Sequence, residues 1–216
     1  MRAGLPDYAE LQCASNFSFL RGASHPEQLV ARAAELGYRA LAVTDECSVA
    51  GVVRAHGEAK QQGLHLIIGA QFLIDPGTDA SLRKFRLIAL AMNRNGYGNL
   101  CELITLARSR EQKGRYRIVA QDFTQPPAGL SHLRGLPGCL LLLAPDYGVD
   151  AAVLHRQAGW LRATFGERAR LALTLLYRGQ DEVHKATVLQ AATELSTQAA
   201  TLQRAVAGFM TSLKAA

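Results

Sequence analysis

Between Leu11 and Gly69 the chain repeats one plan: a short apolar strand, a polar corner, then an amphipathic helix closed by glycine. Leu11 to Ala14 predicts the first strand. Ser24-His25-Pro26-Glu27 predicts a capping box with proline in the first turn of a helix. Leu29, Val30, Ala33, Ala34 and Leu36 recur at helical spacing, and Gly37 supplies the stop. Ala40 to Val43 predicts the second strand, with Thr44-Asp45-Glu46 at its carboxyl end. A helix from about Val49 to Gly63 and a third strand over Leu64 to Gly69 follow. Strands and helices alternating at this pace require parallel strands joined by right-handed crossovers.

Past Gly69 the pattern changes. Gln71 to Ile74 and Phe85 to Met92 read as strands around the turn Asp75-Pro76-Gly77, a small hairpin insertion. A helix then carries Leu100, Leu103, Ile104 and Ala107 on one face. Leu140 to Leu143 reads as a buried strand, Ala151 to Leu161 as a helix behind Asp150 with Trp160 near its end, and Leu171 to Leu176 as a further strand. From Asp181 onward the pattern is helical and rich in alanine, threonine and glutamine. The expected organisation is an α/β unit over residues 1–178, its barrel or sheet incomplete, followed by a divergent helical C-terminal tail over 179–216.

In β/α architectures chemistry sits at the carboxyl ends of the strands, so Gln12 to Ser18, Asp45 to Ser48 and Gly69 to Gln71 should converge. Among them only Asp45 and Glu46 are strong ligands for hard metals, with Ser15, Asn16 and Gln71 as weak neutral donors. An adjacent Asp-Glu pair also serves as a helix cap or an ion-pair partner. The histidines, His25, His56, His65, His132, His155 and His184, show no metal-binding spacing. Arg21-Gly22-Ala23-Ser24 has one glycine and matches neither dinucleotide nor P-loop patterns, and no G-x-S-x-G elbow is present.

The net charge of +6 suits work beside polyanions. Arg108, Arg110, Lys113, Arg115 and Arg117 crowd around Tyr116, with Arg83, Lys84 and Arg86 upstream. The first five are candidates for salt-sensitive, sequence-independent contact with DNA; the alternative is a solvated helix end and loop. Cys13, Cys47, Cys101 and Cys139 stand far apart, which suggests neither a zinc knuckle nor a disulfide framework and fits a reducing cytoplasm. Met1 to Leu11 lacks the apolar stretch of a signal peptide. The longest apolar run, Cys139 to Ala144, is far short of the ~18 residues that a membrane helix needs. No membrane association is expected.

Several ordered segments carry a resemblance. Ser15-Asn16-Phe17-Ser18-Phe19-Leu20-Arg21-Gly22-Ala23-Ser24 with His25-Pro26-Glu27, then Thr44-Asp45-Glu46-Cys47 and Leu66-Ile67-Ile68-Gly69-Ala70, resemble the PHP (polymerase and histidinol phosphatase) domain at the N-terminus of bacterial DNA polymerase III alpha subunits. Asn95-Gly96-Tyr97-Gly98-Asn99-Leu100-Cys101-Glu102-Leu103-Ile104 and Gly135-Leu136-Pro137-Gly138-Cys139 agree as well. Within that family the first segment resembles the error-prone branch linked to damage-induced mutagenesis. The likeness spans roughly Tyr8 to Leu176. It implies an incomplete, distorted β/α barrel of PHP type with a hairpin insertion and a helical C-terminal end.

Active PHP domains hold a metal cluster with histidines and carboxylates, and the resemblance allows each ligand position to be checked. The first-motif histidines fall on Gln12 and Ala14, and the aspartate before the glycine falls on Arg21. Later positions fall on Glu46, Gln71 and Arg86, and only Asp45 keeps its type. The expectation is a degenerate pocket with no catalytic residue, metal or cofactor, in which Arg21 and Arg86 pair with Asp45 or Glu46 as fixed counterions. The implied role is a scaffold or interaction module of an error-prone repair polymerase, its partners the polymerase core, other subunits and DNA. The polymerase palm is not within these residues. The alternatives are a free-standing metal-dependent phosphoesterase and a truncated product without independent function.

Overall fold

Six strands among the described residues pair in chain order: β1 (Ala9–Cys13), β2 (Ala40–Glu46), β3 (His65–Ile74), β4 (Phe85–Ala91), β5 (Cys139–Ala144) and β6 (Ala169–Leu171). The computed structural model describes residues 8–177, 179–193 and 196. The first three strands are parallel, β4 runs antiparallel between β3 and β5, and β6 is parallel to β5. The edge strands β1 and β6 do not pair with each other, but the Thr174 hydroxyl, just past β6, donates to Gln12 Oε1 of β1 at 2.9 Å. The sheet is therefore curled into a half-barrel whose two edges approach at one end.

Side-chain alternation assigns the two faces. Outward-facing Phe85, Leu87 and Ala89 of β4 join Phe72, Ile74, Leu141 and Leu143 in the main core. That core lies under α3 (Arg94–Ser109) and α5 (Ala151–Phe165). A second cluster, with Val30, Ala33, Leu41, Val43, Ala55 and Ala59, packs α1 (Pro26–Glu35) and α2 (Val52–Gln62) against β1 and β2. Ala42, Ile88, Leu90, Leu142 and Ala144 face inward and fill the lumen with short and branched side chains. A single-turn helix, α4 (Gln121–Thr124), closes the loop before β5.

Local rules and tertiary demands divide the remaining details. Pro26 is at the first turn of α1, but the cap is His25 rather than Ser24: Gln28 Oε1 accepts from the His25 N–H at 2.9 Å. α2 ends at Gly63 in left-handed backbone (φ 65°). The third strand runs unbroken through Gln71, so the expected hairpin is built into the sheet as β3 and β4 rather than appended to it. Asp150 caps α5, accepting from the Val153 N–H at 3.0 Å. The strand expected over Leu171 to Leu176 lies earlier, as β6 (Ala169–Leu171), because past the last backbone bond, from the Ala172 N–H to Leu143 O at 2.8 Å, side chains take over from the ladder. The Tyr147 hydroxyl accepts from the Leu176 N–H at 2.7 Å, and Asp181 Oδ1 accepts from the Tyr177 N–H at 3.0 Å. Residues 181–193 are helical, and residues 194–195 and 197–216 of the expected C-terminal tail lie outside the described residues.

The glycines in the first turns of α3 and those just before β5 have a packing origin. A Cβ on Gly96 would collide with the carbonyl of Gly138, whose own O accepts from the Met92 N–H at 2.8 Å. Asn93 caps α3 at the same point, its Oδ1 accepting from the Gly96 N–H at 2.9 Å.

Candidate functional site at the mouth of the half-barrel

The carboxyl ends of β1, β2, β3 and β5 and the amino end of the antiparallel β4 meet at one end of the lumen, above its apolar fill. Gln12, Ala14, Arg21, Gln71 and Arg86 line one cavity there of about 650 Å³, with Ala144, Asp146, Tyr147 and Thr174 opposite. Parity explains the grouping: Gln71 points inward like Ile67, and Arg86 inward like Ile88 and Leu90.

Glu46 and Asp45 are neighbours in β2 and therefore face opposite ways. The Glu46 carboxylate reaches Arg86, with Nη1 3.3 Å from Oε2, and takes the Tyr116 hydroxyl on Oε1. The same hydroxyl accepts from the Leu73 N–H at 2.7 Å, and burial together with Glu46 holds the Tyr116 pKa well above that of an ordinary tyrosine. Across the mouth the contacts continue: Arg86 Nη1 lies 3.5 Å from Gln71 Oε1, and Gln12 Nε2 donates to that oxygen at 3.3 Å. Gln12 in turn accepts from Thr174. The cavity rim is a chain of amide, guanidinium and hydroxyl contacts joining β1, β3 and β4 to the segment past β6.

Asp45 is 1% exposed and turns to the loop after β1. Its Oδ1 accepts from the Ser15 N–H at 2.8 Å and from Ser18 Oγ at 2.6 Å, and its Oδ2 accepts from Ser15 Oγ at 2.7 Å. Ser18 Oγ also accepts from the Glu46 N–H at 2.9 Å. The counterion expectation is thus half corrected. Arg86 pairs with Glu46, but Arg21 makes no ion pair among the described residues, and serine hydroxyls with a backbone N–H satisfy Asp45. Two hydroxyls and a backbone amide in the loop after β1 satisfy this buried carboxylate by hydrogen bonding, which needs no cation.

The basic run divides as well. Arg108 donates to Glu46 O at 3.1 Å and to Cys47 O at 3.1 and 3.2 Å, and its guanidinium lies 5.6 Å from the centre of the Tyr116 ring. Arg110 grips the buried Asp122 with both terminal nitrogens, at 2.6 and 2.7 Å, and this hydrogen bonding raises its pKa. Lys113, Arg115 and Arg117 remain exposed. Tyr116, which organises Glu46, was not among the candidate site residues; its only signal in the sequence is its place inside the basic run.

A profile of the PHP domain matches residues 10–200. The chain belongs to the PHP domain family. This PHP domain is 56% identical over 192 residues to an error-prone DNA polymerase of Bordetella parapertussis, covering 89% of the chain and 18% of that relative. It is 56% identical over 186 residues to an error-prone DNA polymerase of Ralstonia nicotianae, covering 86% of the chain and 17% of the relative. The chain thus spans less than a fifth of the length of these relatives. A solved structure from Bifidobacterium adolescentis, described as a candidate metal-dependent phosphoesterase, shares the fold with a TM-score of 0.54 at 14% identity, over 86% of this chain and 84% of that one.

The residues at the mouth do not fit a divalent-ion cluster. No group of three His, Cys, Asp or Glu side chains suited to a metal occurs among the described residues. Apart from the Glu46 and Asp146 carboxylates, the groups at the mouth are amides, hydroxyls and two guanidiniums, which are donors or weak acceptors, and fixed cations repel divalent ions. All four carboxylate oxygens of Asp45 and Glu46 already accept from protein groups.

Proposed function

We propose that this PHP domain acts as a metal-free structural and docking module of an error-prone DNA polymerase engaged in repair synthesis. On this reading it works in the cytoplasm beside the polymerase core and its subunits, and contributes no phosphoester chemistry. The likeness to error-prone polymerases supports the assignment to that machine. Consistent with a cytoplasmic place, no helix among the described residues is long and apolar enough to cross a membrane.

The observation that carries the metal-free reading is the use of all four carboxylate oxygens of Asp45 and Glu46, at the end of β2, as acceptors for the protein's own donors. A metal would have to break those bonds and sit beside Arg86. In the place of ions, the Thr174–Gln12–Gln71–Arg86–Glu46–Tyr116 chain braces the open side of the half-barrel.

Elemental analysis of chelator-washed protein, together with an assay of a generic aryl phosphate in added manganese or zinc, tests this. The expected result is metal well below stoichiometry and no turnover above blank. Stoichiometric zinc, iron or manganese, or turnover abolished by Glu46→Gln in a folded variant, would overturn it in favour of a phosphoesterase.

A further inference from the structure

Four cations around one trough make no ion pair among the described residues. Arg21, Lys84, Arg115 and Arg117 are exposed and line a concavity of about 620 Å³. Their side chains have no hydrogen bond or ion pair among the described residues. They come from three segments that the fold brings together: the loop after β1, the entry to β4 and the loop after α3. The trough also holds Glu46, Asp75 and Glu111. Glu46 is already tied to Arg86 and Tyr116, and Asp75 Oδ1 accepts from the Gly77 N–H at 2.9 Å. Arg21 lines the mouth cavity too, so positive charge continues from this trough to Arg86.

We propose that this trough holds the phosphodiester backbone of a single-stranded nucleic acid, with Arg21, Lys84, Arg115 and Arg117 as the phosphate contacts. Cations from three segments suit successive phosphates along a strand better than one phosphate, which needs donors converging on a point. A flexible single strand can bend to follow a concavity of this size, whereas a duplex is too stiff to do so. Leu73 contributes apolar surface, and the Tyr116 hydroxyl is spent on Glu46, so the lining offers little to read base edges and binding is sequence-independent. Arg108 and Arg110 are excluded, because their guanidiniums are committed to Glu46, Cys47 and Asp122. This inference is independent of whether the mouth takes up metal.

Fluorescence anisotropy of a labelled oligothymidylate with the 216-residue chain, at a series of salt concentrations, tests it. Four neutralised phosphates on a single strand give a log–log salt slope of about −3, equivalent to roughly a 50-fold loss of affinity between 50 and 200 mM salt. Each single alanine variant among the four should lower the slope magnitude by about 0.7. The quadruple variant, with an unchanged melting temperature, should abolish binding, while Arg32→Ala on α1 leaves affinity within twofold. No binding at 50 mM salt, or binding retained by the quadruple variant, would overturn the site. Equal affinity for a duplex would overturn the single-strand assignment. Displacement by equimolar pyrophosphate at matched ionic strength would overturn it in favour of a small phosphate ligand.

Discussion

Arg86 on β4 and Glu46 on β2 meet over Gln71 of the intervening β3, with Nη1 3.3 Å from Oε2 and each side chain 17% exposed. An ion pair in that setting contributes mainly by leaving neither charge alone. Arg86→Met should therefore lower unfolding free energy by about 1–3 kcal/mol. Arg86→Met combined with Glu46→Leu should recover most of that loss. Urea denaturation of the two variants checks this, and a double variant no more stable than the single one would count against it.

The loop after β1 separates structural from exposed residues at adjacent positions. Ser18→Ala removes a bond to the buried Asp45 and another from the Glu46 N–H, and should cost about 2 kcal/mol. Phe19→Ser, at a side chain 84% exposed, should stay within about 0.5 kcal/mol of the parent. Asp45→Ala should exceed both, by the same amount with chelator or with manganese. Equal effects at Ser18 and Phe19, or an Asp45 effect that depends on metal, would show that the loop is held differently.

Two arginines of one basic run should behave in opposite ways. Arg110→Ala strands the buried Asp122 carboxylate and should cost about 3 kcal/mol. Arg115→Ala should leave the urea midpoint unchanged and act only on nucleic-acid affinity.

Burial raises the thiol pKa values of Cys13 and Cys139 from 9.0 to about 11 and that of Cys47 to about 12, and burial with the hydrogen bond to Glu46 also raises that of Tyr116. These groups keep their protons in the fold longer than in the unfolded chain, so their stabilisation is fully present below about pH 9 and is lost as pH rises through the folded values. Unfolding free energy should show little loss from these groups between pH 7 and 8 and should fall steadily above pH 9, less steeply in Tyr116→Phe. Native-state labelling at pH 8 should modify Cys101 first and leave the fully buried Cys47 and Cys139 protected. Rapid labelling of Cys47 would contradict the packing described here.

The β/α repeat, the proline-led and glycine-stopped helices and the buried strands were legible because they follow from local geometry and from periodicity within one element. The expected hairpin between residues 71 and 92 was legible too. Its place inside the sheet was not, since joining Leu64–Gly69 and Gln71–Ile74 into one strand depends on pairing with both β2 and β4. The candidate positions Gln12, Ala14, Arg21, Gln71 and Arg86 came from ordered motifs, and the curl of the sheet brought them around one cavity.

What sequence alone determined is which side chains stand at the strand ends, and so which ligand types are lost there. Only the tertiary structure decided their partners. Asp45 and Glu46 are adjacent in the chain, yet strand alternation sends one to Ser15 and Ser18 and the other to Arg86 and Tyr116. Arg108 and Arg110 look like Arg115 and Arg117 in sequence, but a cation's role depends on whether a carboxylate or carbonyl folds within reach of it. That distance is set by packing between elements far apart in the chain.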